Sequence, residues 1–250
     1  MRAKESFHNV TTIFRRELSG YFSVPMGYVF LVFFLFLLGF FTFNVSRFFE
    51  TGHAGLEGFF QWHPWVFALF VPAVSMRLWA EERRMGTIEL ILTLPFSLFE
   101  VVLGKFLAAW AFIGVALCLT FPMPLTAMYL GSPDMGGIFC GYLGSFLMAG
   151  AFLSVGTLAS AMTRSQVIGF IVAVVISFFF ILAGYPPVTD IISGWAPAWL
   201  VDMAAGVSIV SHFSSMSRGV LDIRDVIYHA SVIFFMLLAN SLILQNRKAA

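Results

Sequence analysis

The stretch MRLWAEERRMGTIELILTLPFS, Met76 to Ser97, decides how the chain is read. Six of the thirteen residues from Arg77 to Glu89 are charged, in a chain with 14 Lys and Arg and 13 Asp and Glu in all. Outward from this stretch the sequence turns oily on both sides. The 250 residues are 60% hydrophobic and 11% charged, and 31 of them are Phe. The mean hydropathy is +0.91. That composition belongs to membrane proteins, because a soluble domain of this size needs far more polar surface. The charged stretch is therefore a break between two membrane runs.

A bilayer core of about 30 Å takes about 20 apolar helical residues. Charge-free runs of that order are Leu18–Ser46, Gly58–Met76, Phe106–Pro133, Met135–Thr163, Ser165–Thr189 and Val226–Asn246. None shows the ~10-residue alternation of a membrane β-barrel, so the expected fold is all-α with six transmembrane helices. The first run is too long for a signal-peptide core and no Ala-x-Ala site follows it, so it reads as a retained span. Six spans put both termini on one side. That side carries Arg2, Lys4, Arg15, Arg16, Arg77, Arg83, Arg84, Lys105, Arg164, Arg247 and Lys248, and the other only Arg47, Arg218 and Arg224. Eleven against three places the termini in the cytoplasm.

The segments follow from this orientation. Residues 1–24 read as a cytoplasmic amphipathic helix, with Phe7, Val10, Phe14, Leu18 and Tyr21 on one stripe and Pro25 ending it. Residues 25–246 are the membrane domain, with a cytoplasmic segment at 77–100 and an outer segment at 185–224. The outer segment is too broken by Pro and Gly for a span and reads as short interfacial helices, with Trp195 and Trp199 at the membrane surface. Asp222 is the expected N-cap of the last span, with Asp225 three positions on in a relative of the capping box. Residues 247–250 are a cytoplasmic tail. Gly137, Gly141, Ser145 and Ala149, and again Gly169, Ala173 and Ser177, are spaced by four and allow close helix approach, within one chain or between subunits.

Several chemistries are excluded. The net charge of +1 predicts no nucleic-acid partner. Cys118 and Cys140 lie in or beside apolar runs without metal-ligand or disulfide spacing. The five histidines share no ligand spacing, and His63 reads as interfacial. The one Gly-Lys pair, Gly104-Lys105, has Phe99 where a phosphate-binding loop needs Gly. Glu81-Glu82 is followed by Gly86 where the Glu-Glu-x-x-x-Arg protease pattern needs Arg. Lys105 and His229 are the ionisable residues nearest to lying within a span, which disfavours an ion-coupled transporter. Energy for any movement comes from outside the chain.

The opening stretch then reads as a docking element. Arg77 and Glu81 can pair at i,i+4. Glu81, Glu82, Arg83 and Arg84 carry the chain past the headgroups, and Gly86 breaks the helix. Thr87 is a candidate N-cap for a second short helix, in which Ile88, Leu90, Ile91, Leu92 and Leu94 form an apolar face stopped by Pro95. Such a helix suits a groove on a partner.

The run RLWAEERRMGTIELILTLPFS with FEVVLGKFLAA resembles the first cytoplasmic loop of the type-2 ABC-transporter permeases. SHFSSMSRGVLDIRDVIYHASVIFFMLLAN and FRRELSGYFSVPMGYVF resemble their gliding-motility-associated subfamily, which is itself similar to the permease of nitrous-oxide-reductase maturation. The resemblance covers essentially the whole chain. It implies a non-catalytic membrane subunit of an ATP-driven exporter-type complex in a bacterial inner membrane. The N-terminal helix would be the elbow helix, the region of Gly86–Thr93 the coupling helix, and 185–224 the short extracellular helices. Two cytoplasmic ATPase subunits would bind the ATP and magnesium; no cofactor would sit on this chain. A second permease chain, identical or homologous, would pair with it, and an outer-side accessory subunit is a further possible partner. On that resemblance Glu81, Glu82, Arg83 and Arg84 would contact the ATPase, Gly86, Thr87 and Glu89 would shape the coupling helix, and Arg15, Arg16 and Glu17 would tie the elbow to the same surface. Two rival readings stay open. In one, ATP hydrolysis drives an outer-side partner and nothing crosses the bilayer. In the other, the chain is an anchor with no ATPase.

Overall fold

A computed structural model describes residues 2–50, 52, 55–87, 97–194 and 196–246, and among these every regular element is helical. In chain order they are α1 (Arg2–Ser23), α2 (Pro25–Phe40), α3 (Glu57–Phe60), α4 (His63–Ser75), α5 (Arg77–Met85), α6 (Leu98–Cys118), α7 (Pro122–Leu130), α8 (Met135–Met162), α9 (Gln166–Leu182), α10 (Pro186–Ser193), α11 (Ala198–Val207), α12 (Ile209–Ser217) and α13 (Ile223–Asn246). A π-helical turn, Phe41–Val45, continues α2.

Among the described residues, four stretches are long and apolar enough to cross a membrane: Pro25–Val45, Leu98–Leu130, Met135–Met162 and Ile223–Asn246. A fifth arises if α9 and α10, which meet at a bend of 66°, count as one. The second expected run differs. Its helix α4 has only 13 residues, about 20 Å at 1.5 Å per residue. Pro72 lies inside it, and Met76 passes the chain on to α5 with helical backbone angles. The third run also differs: its helix starts eight residues early, at Leu98, because Ser97 and Glu100 form a complete capping box.

Helix α8 is the hub, against which α4, α5, α6, α9, α12 and α13 all pack. Its small residues set that role. A Cβ on Gly150 would stand 2.9 Å from both Trp110 and Ile233, and one on Gly156 would stand 2.1 Å from the Ser75 hydroxyl. Gly141, Ser145 and Ala149 are buried in the same way, as are Gly169, Ala173 and Ser177 on α9. Both stripes therefore serve packing inside the chain. Large rings fill the remaining space, Phe34 against Phe67 and Phe70, and Trp110 stacked on Phe146 at 4.4 Å. The outward faces of α2, α9 and α13 stay apolar, with Val32, Phe36, Val175, Phe179 and Phe235 exposed, which is the surface a bilayer covers.

Some sequence expectations move. In α1 the fully packed residue is Ile13, while Phe7 is 76% exposed. The cause is local: α1 lies along α6, and Gly104 lets Ile13 approach so closely that a Cβ there would sit 2.7 Å away. His63 is buried rather than interfacial, its Nδ1 3.1 Å from the Phe59 carbonyl oxygen. At α13, Asp222 accepts from the Arg224 amide at 2.9 Å, but Asp225 does not complete a box. Its carboxylate takes His212 Nδ1 at 2.7 Å and the Ser215 hydroxyl instead, joining α12 to the last helix. Trp199 on α11 is exposed; Trp195 and the tail at 247–250 lie outside the described residues.

Candidate functional site

The chemistry gathers at one end of the bundle, where α1, α5 and α6 meet. Helix α5 is fixed there from below. Leu78, Trp79 and Ala80 are buried. The Ser160 hydroxyl of α8 accepts from the amides of Trp79 and Ala80, each at 3.1 Å, and donates to the Met76 carbonyl at 2.9 Å. One side chain thus satisfies donors that a helix start leaves unpaired, and the acceptor freed at the α4–α5 junction. At its other end α5 stops at Gly86, whose φ of 71° is the left-handed conformation that glycine adopts without strain.

Fixed in this way, α5 presents Arg77, Glu81 and Glu82 to a cleft shared with α1. Arg77 Nε donates to Glu81 at 3.0 Å. The centre of the site is Lys105, one turn past the start of the apolar part of α6 and only 2% exposed. Its ammonium donates to Glu17 of α1 at 3.1 Å and to Glu82 of α5 at 3.0 Å, and stands 5.6 Å from the Trp79 ring centroid. Arg16 pairs with the same Glu17 oxygen at 2.7 Å, and Thr87 donates its hydroxyl to Glu82. Two carboxylates and two cations balance. Burial by itself would raise the Glu82 carboxyl, but Lys105, the Thr87 hydroxyl and Arg16 outweigh it and hold the group below its ordinary range. Farther along α1, Asn9 donates to Glu100 of the α6 capping box at 3.2 Å, and Tyr21 stacks on Phe112 at 4.7 Å. Between α1 and α5 a cleft of about 210 Å³ is lined by Glu17, Tyr21, Arg77, Glu81, Glu82 and Lys105.

Of the residues singled out by sequence, Arg16, Glu17, Glu82 and Thr87 come together in this node, with Glu81 beside it. Arg15 and Arg84 are exposed, Arg83 is half-buried on α5, and Gly86 ends the helix. Glu89 and the rest of the expected coupling helix, Ile88 to Leu94, lie outside the described residues. Sequence reasoning noted Lys105 only as a charge near a span end, and passed over Trp79, Ser160 and the Asn9–Glu100 link. Lys105 carried a usable signal: a lysine inside an apolar helix must find countercharge or reach water. Ser-x-x-Glu at 97–100 carried another.

The arrangement joins three helices through one buried cation. No group of three or more His, Cys, Asp or Glu able to hold a metal occurs among the described residues. Comparison with known families finds that residues 43–220 match the model described as ABC-2 family transporter protein. The match runs from the π-turn of α2 to just past α12, so it includes Glu82 and Lys105 and leaves out α1. No curated protein matches the chain.

Proposed function

We propose a role that proceeds from one fact: the chain belongs to the ABC-2 family of transporter proteins, whose model covers more than two thirds of its 250 residues. It is a membrane permease of an ABC transporter. Its specific work is to receive force from a separate cytoplasmic ATPase and pass it to the bundle. The force enters through the loop that follows α5. Glu82 and Lys105 carry it to α6, and Glu17 shares it with α1, the elbow helix.

The observation that supports this reading is the burial of Lys105 between Glu17 and Glu82. A displacement of α5 alone would part Glu82 from Lys105, at a cost of about 3 kcal/mol for a partly buried pair. The coupling helix at Gly86–Thr93, two ATPase subunits, a paired second permease chain and six crossings of a bacterial inner membrane with cytoplasmic termini complete the proposal. The motifs noted above extend it to the gliding-motility-associated subfamily. A second reading, transmission to an outer-side partner with nothing crossing the bilayer, draws on the packed interior, where Phe34, Phe67, Phe70, Phe112 and Phe152 are fully buried.

The test is purification of the tagged full chain from its native membrane in mild detergent. A nucleotide-hydrolysing subunit is expected in the eluate. Glu82→Ala combined with Arg84→Ala should leave the chain folded and change the ATP turnover of the complex relative to the unaltered one. An eluate without any ATPase, or turnover indifferent to both substitutions, overturns the assignment.

A further inference from the structure

At the end of the bundle opposite the Lys105 node lies a cavity of about 570 Å³, within the size range of small-ligand sites. It exists because α9 and α10 diverge by 66°. At that bend Gly184 packs so tightly on Ser208 and Ser211 that a Cβ would stand within 2.4 Å of Ser208. Tyr185 meets the Trp65 ring edge-on at 5.5 Å, and Ile181 and Phe213 close the apolar part.

The walls are held from behind. Trp62 donates its indole N–H to Ser46 Oγ at 2.7 Å and stacks on Phe41 at 4.6 Å. Its ring is therefore fixed before anything binds, which lowers the cost of binding. The mouth is different in kind. Glu57 and Arg218 both line it, both are exposed, and neither forms a salt bridge among the described residues. An aromatic, apolar interior beneath one free anion and one free cation matches the boundary between acyl chains and headgroups, where Trp and Tyr concentrate.

We propose that this cavity holds one zwitterionic phospholipid, its phosphate on Arg218, its ammonium on Glu57 and its upper acyl chain against Trp65, Ile181 and Phe213. Arginine suits a phosphate through its planar fork of donors. The carboxylate of Glu57 is what separates a zwitterionic head from an anionic one. The site stands apart from the Lys105 node and does not depend on how ATP is coupled.

The experiment is native mass spectrometry of the full chain, delipidated in detergent and then titrated with phosphatidylethanolamine, phosphatidylglycerol or glycerophosphoethanolamine, the headgroup without chains. One phosphatidylethanolamine per chain should be retained, about two- to fivefold more tightly than phosphatidylglycerol, the scale set by a single exposed ion pair. Glu57→Gln should abolish the preference while phosphatidylglycerol still binds. Arg218→Ala should weaken both lipids, and Arg218→Lys should restore part of the binding. Both positions are exposed, so the variants keep the wild-type elution volume. Equal retention of the two lipids by the wild type, or no effect of Glu57→Gln, overturns the proposal. Equal binding of the chain-free headgroup also overturns it, in favour of a soluble zwitterion. So does protection of Trp65→Cys, in a chain with Cys118 and Cys140 changed to Ser, from a maleimide by a bound polypeptide but not by lipid.

Discussion

Lys105 is where residue-scale physics is most exposed. A buried ammonium survives because two carboxylates face it within 3.1 Å and a Trp ring borders it. Lys105→Met keeps the volume and removes the charge, leaving Glu17 and Glu82 facing each other. The expected loss is about 3 kcal/mol, the low end for a broken buried pair, since each carboxylate side chain keeps an 18% edge to solvent. Chemical unfolding in detergent should show it, and adding Glu82→Gln should recover part. The pH dependence has a definite sign. Glu82 has its folded-state affinity for protons lowered, so its contribution is present above the ordinary carboxyl range, near pH 4.3, and is lost as pH falls through the lower folded value. The stability gap between wild type and Glu82→Gln should therefore be widest near neutrality and close on acidification. A gap that grows toward acid contradicts the ion-pair account.

At the scale of elements, α1 and α6 act as one unit. They share Ile13 seated on Gly104, Tyr21 on Phe112, Asn9 on Glu100 and Glu17 on Lys105. Gly104→Ala places a Cβ 2.7 Å from an Ile13 methyl group, so α1 must shift. Overpacking of this kind costs about 1–3 kcal/mol. Limited proteolysis should cut α1 faster in Gly104→Ala, and the further change Ile13→Ala should slow the cleavage again. If α1 stays equally protected in both, it is not held by this seat. The apolar stripe from Phe7 to Tyr21 was legible because helical periodicity needs only sequence. Which of its flanks packs was not, because that depends on a glycine in another helix about ninety positions away.

For the whole molecule the decisive property is orientation. On the orientation proposed from the lysine and arginine asymmetry, α5 lies in the cytoplasm and the Glu57–Arg218 mouth on the far side of the membrane. In a chain with Cys118 and Cys140 changed to Ser, Glu57→Cys should react with a membrane-impermeant maleimide added outside intact spheroplasts. Arg84→Cys should react only after permeabilisation. The reverse pattern inverts the molecule and removes the ATPase from contact with the loop after α5. Both positions are exposed, so accessibility within the protein does not limit the labelling.

By itself the sequence determined the class of the protein: an all-helical chain of apolar runs, interrupted after Met76 by charges that cannot remain in hydrocarbon. Burial of backbone polar groups in lipid leaves helix as the available state, and charge asymmetry needs no coordinates to count. The family resemblance was legible for the same reason, since Glu81 to Glu89 is a local pattern. Tertiary structure alone decided what each polar group does. Lys105 looked like one more positive charge near a span end until α1 and α5 brought Glu17 and Glu82 to it from 88 and 23 positions away. Asp225 looked like a helix cap until α12 offered His212. Ser160 looked like a small residue in a Gly-rich helix until it capped α5. Partners that distant along the chain leave no periodic trace, because the attraction acts through space and the chain records only its own order.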